Sequence, residues 1–241
     1  MSSETRHRGA HSNDAELFSR DKLPVLKQAV ADLSWLLSRG YARPSGLKLV
    51  GDRYSLIERQ RVAVGRAACA DANLVRRQHH HSPAKQIQGR RVCIDGFNLL
   101  VTLETLLGGG VLLLCRDGCV RDMSSVHGSY HAVAETDRAI LMAAEYLQAL
   151  EIRSAHWLLD SPVSNSGRLA QRLRDLAEER RWPWTVETVL SPDAVLKQTK
   201  EAIVITSDAI ILDHAQAWYN LAAEIIVHSP TPFSWLMDLR S

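Results

Sequence analysis

At 241 residues, 46% hydrophobic and with a formal net charge of +2, the chain has the apolar content for one large or two small packed cores, which excludes a disordered or fibrous class. No apolar run approaches the roughly 20 residues that span a bilayer, and the polar residues 1–14 lack the apolar centre of a signal peptide, so a cytoplasmic protein with no membrane partner is expected. Four cysteines in this length argue against a disulfide framework.

Residues 1–14 read as a disordered tail and residues 15–78 as a small basic helical domain. Leu23 and Pro24 open an amphipathic helix whose apolar residues Leu26, Ala29, Val30, Leu33, Leu36 and Leu37 fall at helical spacing, with Gly40 as its C-cap. Residues 45–50 form a short helix closed by Gly51. A longer helix starts at Ser55, where Ser55-Leu56-Ile57-Glu58 fits a capping box. Its inward positions are Ile57, Val62, Val64 and Ala68, and Arg59, Arg61, Arg66, Arg76 and Arg77 occupy the opposite faces. Residues 79–90 are a linker, and its run His79-His80-His81 reads as exposed, with phosphate contact the second choice.

From residue 91 to 241 the pattern alternates strands and helices, which predicts a Rossmann-like, mainly parallel, doubly wound α/β sheet. Strands are expected at 92–95, 155–160, 185–190, 202–206 and 224–228, and helices over 99–107, 135–150 and 168–181. Residues 111–122 form a hairpin about Asp117-Gly118, in which a two-residue turn sets Arg116 against Cys119 and Cys115 against Val120. That register puts the two sulfurs on opposite faces and makes a shared zinc or a disulfide unexpected. A polar loop holding His127 and His131 precedes the helix at 135. The charge is divided unevenly: residues 1–91 carry 17 Lys and Arg against 8 Asp and Glu, the remainder 12 against 19. Such a division suits a polyanion held by the first part and presented to the second.

Three apolar runs end in aspartate: Val92-Cys93-Ile94-Asp95, His156-Trp157-Leu158-Leu159-Asp160 and Ile203-Val204-Ile205-Thr206-Ser207-Asp208. In an open α/β sheet ligands bind outside the carboxyl ends of the strands, so Asp95, Asp160 and Asp208 are the candidate catalytic residues. Two carboxylates about 4 Å apart repel by roughly 4 kcal/mol at an effective dielectric near 20. A cation or a shared proton must offset that, and an all-oxygen site suits Mg²⁺ or Mn²⁺. Asp213 is a further candidate metal ligand, with a solvated helix position as its plainer reading. Asn98 either holds a phosphate or a metal-bound water or caps the following helix; Ser207 donates to a carboxylate or a phosphate. Ser164, Asn165 and Arg168 open a helix and offer an anion site or plain N-capping, and Arg59, Arg61 and Arg66 supply the basic grip. Asp117 is explained by its turn.

The motifs Ile94-Asp95-Gly96-Phe97-Asn98, Leu159-Asp160-Ser161-Pro162 and Thr206-Ser207-Asp208 resemble the successive acidic motifs of PIN and NYN domains, metal-dependent ribonucleases with a Rossmann-like fold. Separately, Arg39-Gly40-Tyr41, Leu49-Val50-Gly51-Asp52-Arg53-Tyr54, Arg59-Gln60-Arg61 and Arg66-Ala67-Ala68-Cys69 resemble an uncharacterised family, domain of unknown function 434. The first resemblance implies a Mg²⁺- or Mn²⁺-dependent ribonuclease with RNA as its partner. Two departures stand out. NYN proteins carry a second acid two residues after the last aspartate, where this chain has Ile210, and Glu104, Glu135 and Asp137 compete for a helix-borne acid. A non-catalytic RNA-binding or adaptor protein, and a DNA-binding regulator, are the competing expectations; homo-oligomerisation is left open.

Overall fold

The computed structural model describes residues 7–124, 130–228 and 235–240; His127 and residues 1–6 of the expected tail lie outside them. Residues 7–14, expected as disordered, are held by charge. Arg8 pairs with Glu104 at 2.7 Å, and Asp14, fully buried at the start of α1 (Asp14–Leu17), accepts from Arg59 and from the His11 N–H. A 3₁₀ turn (Arg20–Lys22) leads into α2 (Leu23–Ser38), which buries Leu26, Ala29, Val30 and Leu33 and ends at Gly40, whose φ of +81° places it in the left-handed region.

Two boundaries in the helical region differ from expectation. Helix α3 (Arg43–Arg53) runs through Gly51, where a Cβ would overlap the Arg61 guanidinium; the glycine makes room for that side chain and ends nothing. Helix α4 (Glu58–Ala67) starts beyond Ser55, which has φ +51°, and the N-cap is Ile57, whose N–H donates to Gln60 Oε1 at 3.3 Å. Its buried face is Ala63, Val64, Ala67 and Ala68, with Ile57 exposed. Helix α5 (Asp71–His80) then extends into the expected linker. His81 bridges to Trp218 in parallel fashion and sets its ring edge-on to that indole, and a 3₁₀ turn (Ala84–Gln86) follows.

The α/β part comprises β1 (Arg91–Asp95), α6 (Gly96–Leu107), the hairpin β2 (Leu112–Leu114) and β3 (Val120–Asp122), α7 (Thr136–Ala149), β4 (Ser154–Asp160) and α8 (Ser166–Arg180). It continues with β5 (Trp184–Val189), α9 (Pro192–Gln198), β6 (Ile203–Ile205), α10 (Ala209–Leu212), β7 (Trp218–Tyr219), α11 (Leu221–His228) and β8 (Leu236–Asp238). Strands β5-β4-β1-β6-β7 form one parallel sheet in that order. The chain winds outward from β1 through β4 to β5, then restarts on the other side at β6. The topological switch point therefore lies between β1 and β6, where a ligand crevice is expected at the carboxyl ends. Alternation divides each strand between two layers. Val92, Ile94, Trp157, Leu159, Ile203 and Ile205 pack with α6, α7, α8 and α11, while Cys93, Leu158 and Val204 pack with α9 and α10.

Four features depart from the sequence reading. Residues 224–228 belong to helix α11, not to a strand: Leu221, Ala222, Ile225 and Ile226 are buried at helical spacing, and a short apolar run does not by itself separate the two states. Helix α9 has no counterpart in that reading, and neither do the short strands β7 and β8. Strand β8 pairs parallel with β2, making a second sheet in the order β3-β2-β8. Finally, Leu114 faces Val120 and the Cys115 N–H donates to the Cys119 carbonyl, so the hairpin loop has three residues, with Gly118 at φ +80° absorbing the extra one. Cys115 and Cys119 thus stand opposite one another; both thiols are free, and the side chains pack into different apolar clusters.

The core around the N-terminal helices is shared. Leu26, Leu33, Val64 and Ala67 pack with Val111, Leu113 and Cys115 of the hairpin region and with Met237 and Leu239 at the end of the chain. Among the described residues no helix is long and apolar enough to cross a membrane.

Candidate active site

The three candidate aspartates reach the same edge of the sheet by different routes. Asp95 is the last residue of β1, and Gly96 lets the chain turn at once into α6: a Cβ there would meet the Leu158 carbonyl at 2.9 Å. Asp160 ends β4 two residues beyond the partner of Asp95, on the same sheet face. Asp208 follows β6 and starts α10. A fourth acid, Asp193, lies in the first turn of α9. Ser191, whose Oγ accepts the Ala194 N–H, and Pro192 announce that helix, a cap-plus-proline signature present in the sequence and overlooked.

These four carboxylates feel one another. Burial pushes the Asp95 carboxyl up to about 7, opposed by a hydrogen bond from Thr206 and reinforced by the charges of Asp208 and Asp193. Burial raises the Asp160 carboxyl, and Asp193 adds to it; burial likewise raises Asp193, with Asp208 adding and Lys197 opposing. Among the described residues none of the four forms an ion pair.

Hydrogen bonds close the crevice between β1 and β6. Thr206 Oγ1 donates to Asp95 Oδ2 at 2.9 Å, and Asn98 Oδ1 accepts from the Ser207 N–H at 2.8 Å and the Ser207 hydroxyl at 3.0 Å. Asn98 is therefore not the helix cap; through Oδ1 it ties the start of α6 to the loop after β6. The caps are the aspartates. Asp95 accepts the Asn98 N–H at 3.4 Å, and Asp208 Oδ1 accepts the N–H groups of Ile210 at 2.8 Å and Ile211 at 3.1 Å. Ser207 donates to Asn98, and its carbonyl accepts Arg121 Nε at 2.7 Å.

Other predicted residues are engaged elsewhere. Asp213, partly exposed, pairs with the buried Arg77 at 2.7 Å and is not a free metal ligand. Asp117 has a role beyond its turn. Burial works to raise its carboxyl, but Arg121 and Arg77 outweigh that and hold it down at about 2, completing a buried chain of charge from α5 through the hairpin to the Ser207 loop. Arg59 is committed to Asp14, and Arg61 to Asp52 and the Leu56 carbonyl, so these two hold the helical region together. Ser164 and Asn165, in the turn after Asp160, pin Tyr130: the Ser164 carbonyl accepts the Tyr130 N–H, and Asn165 Nδ2 donates to the Tyr130 carbonyl at 2.8 Å. Arg168 is exposed on the first turn of α8. The competing helix-borne acids are also occupied: Glu104 accepts from Thr136 and Arg8, Glu135 contacts His7, and Asp137 pairs with Arg172.

A groove of about 640 Å³ opens beside Asp208. Its α/β wall includes Phe97, Asn98, Val101, Ser207, Asp208 and Ile210, and its helical wall includes Arg43, Gly65 and Arg66. Arg66 donates to the carbonyls of Asp122 at 2.6 Å and Ser124 at 2.7 Å. Arg43 and Arg121, neither singled out from the sequence, line the same space.

Comparison with known proteins accounts for most of the chain. Residues 84–224 match the family described as a domain of unknown function, DUF5616, and residues 25–80 match a protein family of unknown function, DUF434. The uncharacterised protein MJ0935 of Methanocaldococcus jannaschii is 31% identical over 203 residues, covering 83% of this chain and 96% of that one. No solved structure matches.

Proposed function

We propose that this chain, which belongs to the DUF5616 family, is a Mg²⁺- or Mn²⁺-dependent ribonuclease whose centre is Asp95, Asp160, Asp193 and Asp208. The observation that carries the reading is four carboxylates at the carboxyl edge of a parallel sheet, coupled through Asp193 and Asp208, with no ion pair to any of them among the described residues and only Lys197 opposing their charge. A cation would relieve that repulsion. The strand order and the likeness of Ile94-Asp95-Gly96-Phe97-Asn98 and Thr206-Ser207-Asp208 to PIN and NYN motifs support the same reading.

The donor set fits a hard divalent cation in kind, being carboxylate oxygen throughout. As they stand, however, no three His, Cys, Asp or Glu side chains converge on one point among the described residues, and Asp95 and Asp208 spend oxygens on helix N-termini. Asp95, Asp160, Asp193 and Asp208 are the residues that would hold the ion, which would supply charge stabilisation at the phosphate and at the leaving oxygen. The chain's own groups do the rest. Asn98 and Arg121 fix the Ser207 loop that carries Asp208 to the sheet edge, and the attacking water gives its proton to solvent. As water oxygen bonds to phosphorus, the bond to the leaving ribose oxygen breaks, and that oxygen takes a proton from solvent.

The test is cleavage of a panel of structured and single-stranded RNAs with and without Mg²⁺ or Mn²⁺. Metal-dependent cleavage that is lost in Asp95→Asn and Asp160→Asn is expected; activity unchanged in both variants removes the nuclease reading. The two aspartate caps favour a second reading, a non-catalytic RNA-binding protein, which predicts binding that survives chelation and no cleavage by any preparation.

A further inference from the structure

The groove beside the acidic edge is built from both matched segments: α3 and α4 supply Arg43, Gly65 and Arg66, and the α/β part supplies the facing wall. Its volume lies within the roughly 300–1,000 Å³ of small-molecule sites. The chemistry of the two walls differs. On the helical wall, Arg43 donates to the carbonyls of Gly65 at 2.5 Å and Ala68 at 3.5 Å, and no carboxylate pairs with it among the described residues. Although the Arg43 side chain reaches solvent, packing around its guanidinium, with Arg77 and Arg121 nearby, holds its pKa below the ordinary arginine value against the opposing charge of Asp213; Asp122, Asp208 and Asp213 line the same groove. On the facing wall, Ile210 is 57% exposed and stands with the buried Phe97 and Val101 as the apolar part of the groove.

We propose that this groove seats one nucleotide of a single-stranded RNA, its phosphate against Arg43 and Arg66 and its base against Ile210, so that the next phosphodiester falls beside Asp208. Arginine forks match phosphate oxygens, and bases pack on apolar side chains without regard to sequence. The inference deepens the nuclease reading by naming where the strand lies, and it rests on that reading for the identity of the polymer. It also gives the helical segment a definite task, since without α3 and α4 the phosphate wall is missing.

The experiment is fluorescence anisotropy of a labelled single-stranded RNA of about 12 nucleotides with the full chain in EDTA, across a salt series, with AMP as competitor. Arg43→Ala is expected to weaken binding about tenfold and to lower the salt slope by roughly 0.7. Arg43 also ties α3 to α4, so Ile210→Glu is the second variant: it removes no side-chain hydrogen bond, places a carboxylate in the groove, and is expected to weaken binding at least as much while the circular dichroism melt stays unchanged. Displacement of the RNA by AMP would show that the seat accepts a free mononucleotide as well as a strand unit. Wild-type affinity and salt slope in both variants, or no RNA binding by the wild-type chain, overturns the proposal. Binding that depends on Arg43 and Ile210 without cleavage in Mn²⁺ would defeat the nuclease reading alone; cleavage at wild-type KM by both variants would defeat the groove alone.

Discussion

Two groups of aspartates lie on either side of the Ser207 loop, each with one buried member, Asp117 and Asp95, and they are treated in opposite ways. Asp117 is enclosed by Arg77 and Arg121, and Asp213 shares Arg77, so each carboxylate is matched by a guanidinium. Asp95, Asp160, Asp193 and Asp208 have one another and no arginine. Burial penalises charge in both places; the counterion decides whether the carboxyl is pulled down to about 2, as in Asp117, or pushed up to about 7, as in Asp95. The first group is internally complete and structural. The second is left with a charge deficit that a proton or an outside cation must fill, which is why the functional reading rests there.

The largest expected effect breaks the complete group. Asp117→Ala leaves Arg121 buried without a carboxylate and Arg77 with Asp213 alone, and should cost about 3–5 kcal/mol in urea unfolding. Next, Asp95→Asn should stabilise the protein at pH 8 by up to about 4 kcal/mol and do almost nothing at pH 4. The sign follows from the raised pKa: the folded chain prefers neutral Asp95, so its contribution is intact below the ordinary carboxylate value of 3.8 and is lost as pH rises through about 7. A variant that gains nothing between those limits would show that Asp95 is ionised without penalty. Third, saturating Mn²⁺ at about one hundred times its Kd should add about 2.7 kcal/mol to wild-type stability at pH 8. The gain should be smaller at pH 5, because ligands must first lose protons, and absent in Asp160→Asn. The smallest effect is electrostatic alone: Asp193→Asn should move the Asp160 titration seen by carbon-13 NMR downward, and no movement would break the link between α9 and the β4 edge.

What could be read from the sequence was local. An apolar run that stops at an aspartate and is followed by a helical pattern is a complete statement within ten residues, so β1, β4 and β6 and their acids were placed correctly on one edge. Asp193 was missed because its helix is one short turn pattern between two strands, although Ser191-Pro192 marked its start. Arg121 could not be foreseen as the brace of Ser207, since the two are 86 residues apart and a three-residue strand carries almost no pattern. The same brevity hid β8. The hairpin register differs by one because Asp117-Gly118 alone predicts a two-residue turn, whereas Arg116 belongs to the loop as well. Arginines on α4 looked like a surface grip because helical spacing separates faces but does not say which face meets another carboxylate, as Arg59 meets Asp14.

The strand β8 has a consequence for how the protein comes into being. Met237 and Leu239 sit among Leu26, Leu33 and Val64, so the apolar interior begun by the first helices is sealed only by side chains near residue 240. A ribosome releasing this chain would expose a half-finished interior through most of elongation, a state that invites chaperone capture. Expression of residues 1–90 alone should then give aggregation-prone material, and the melt of the whole protein should follow one cooperative transition in place of two.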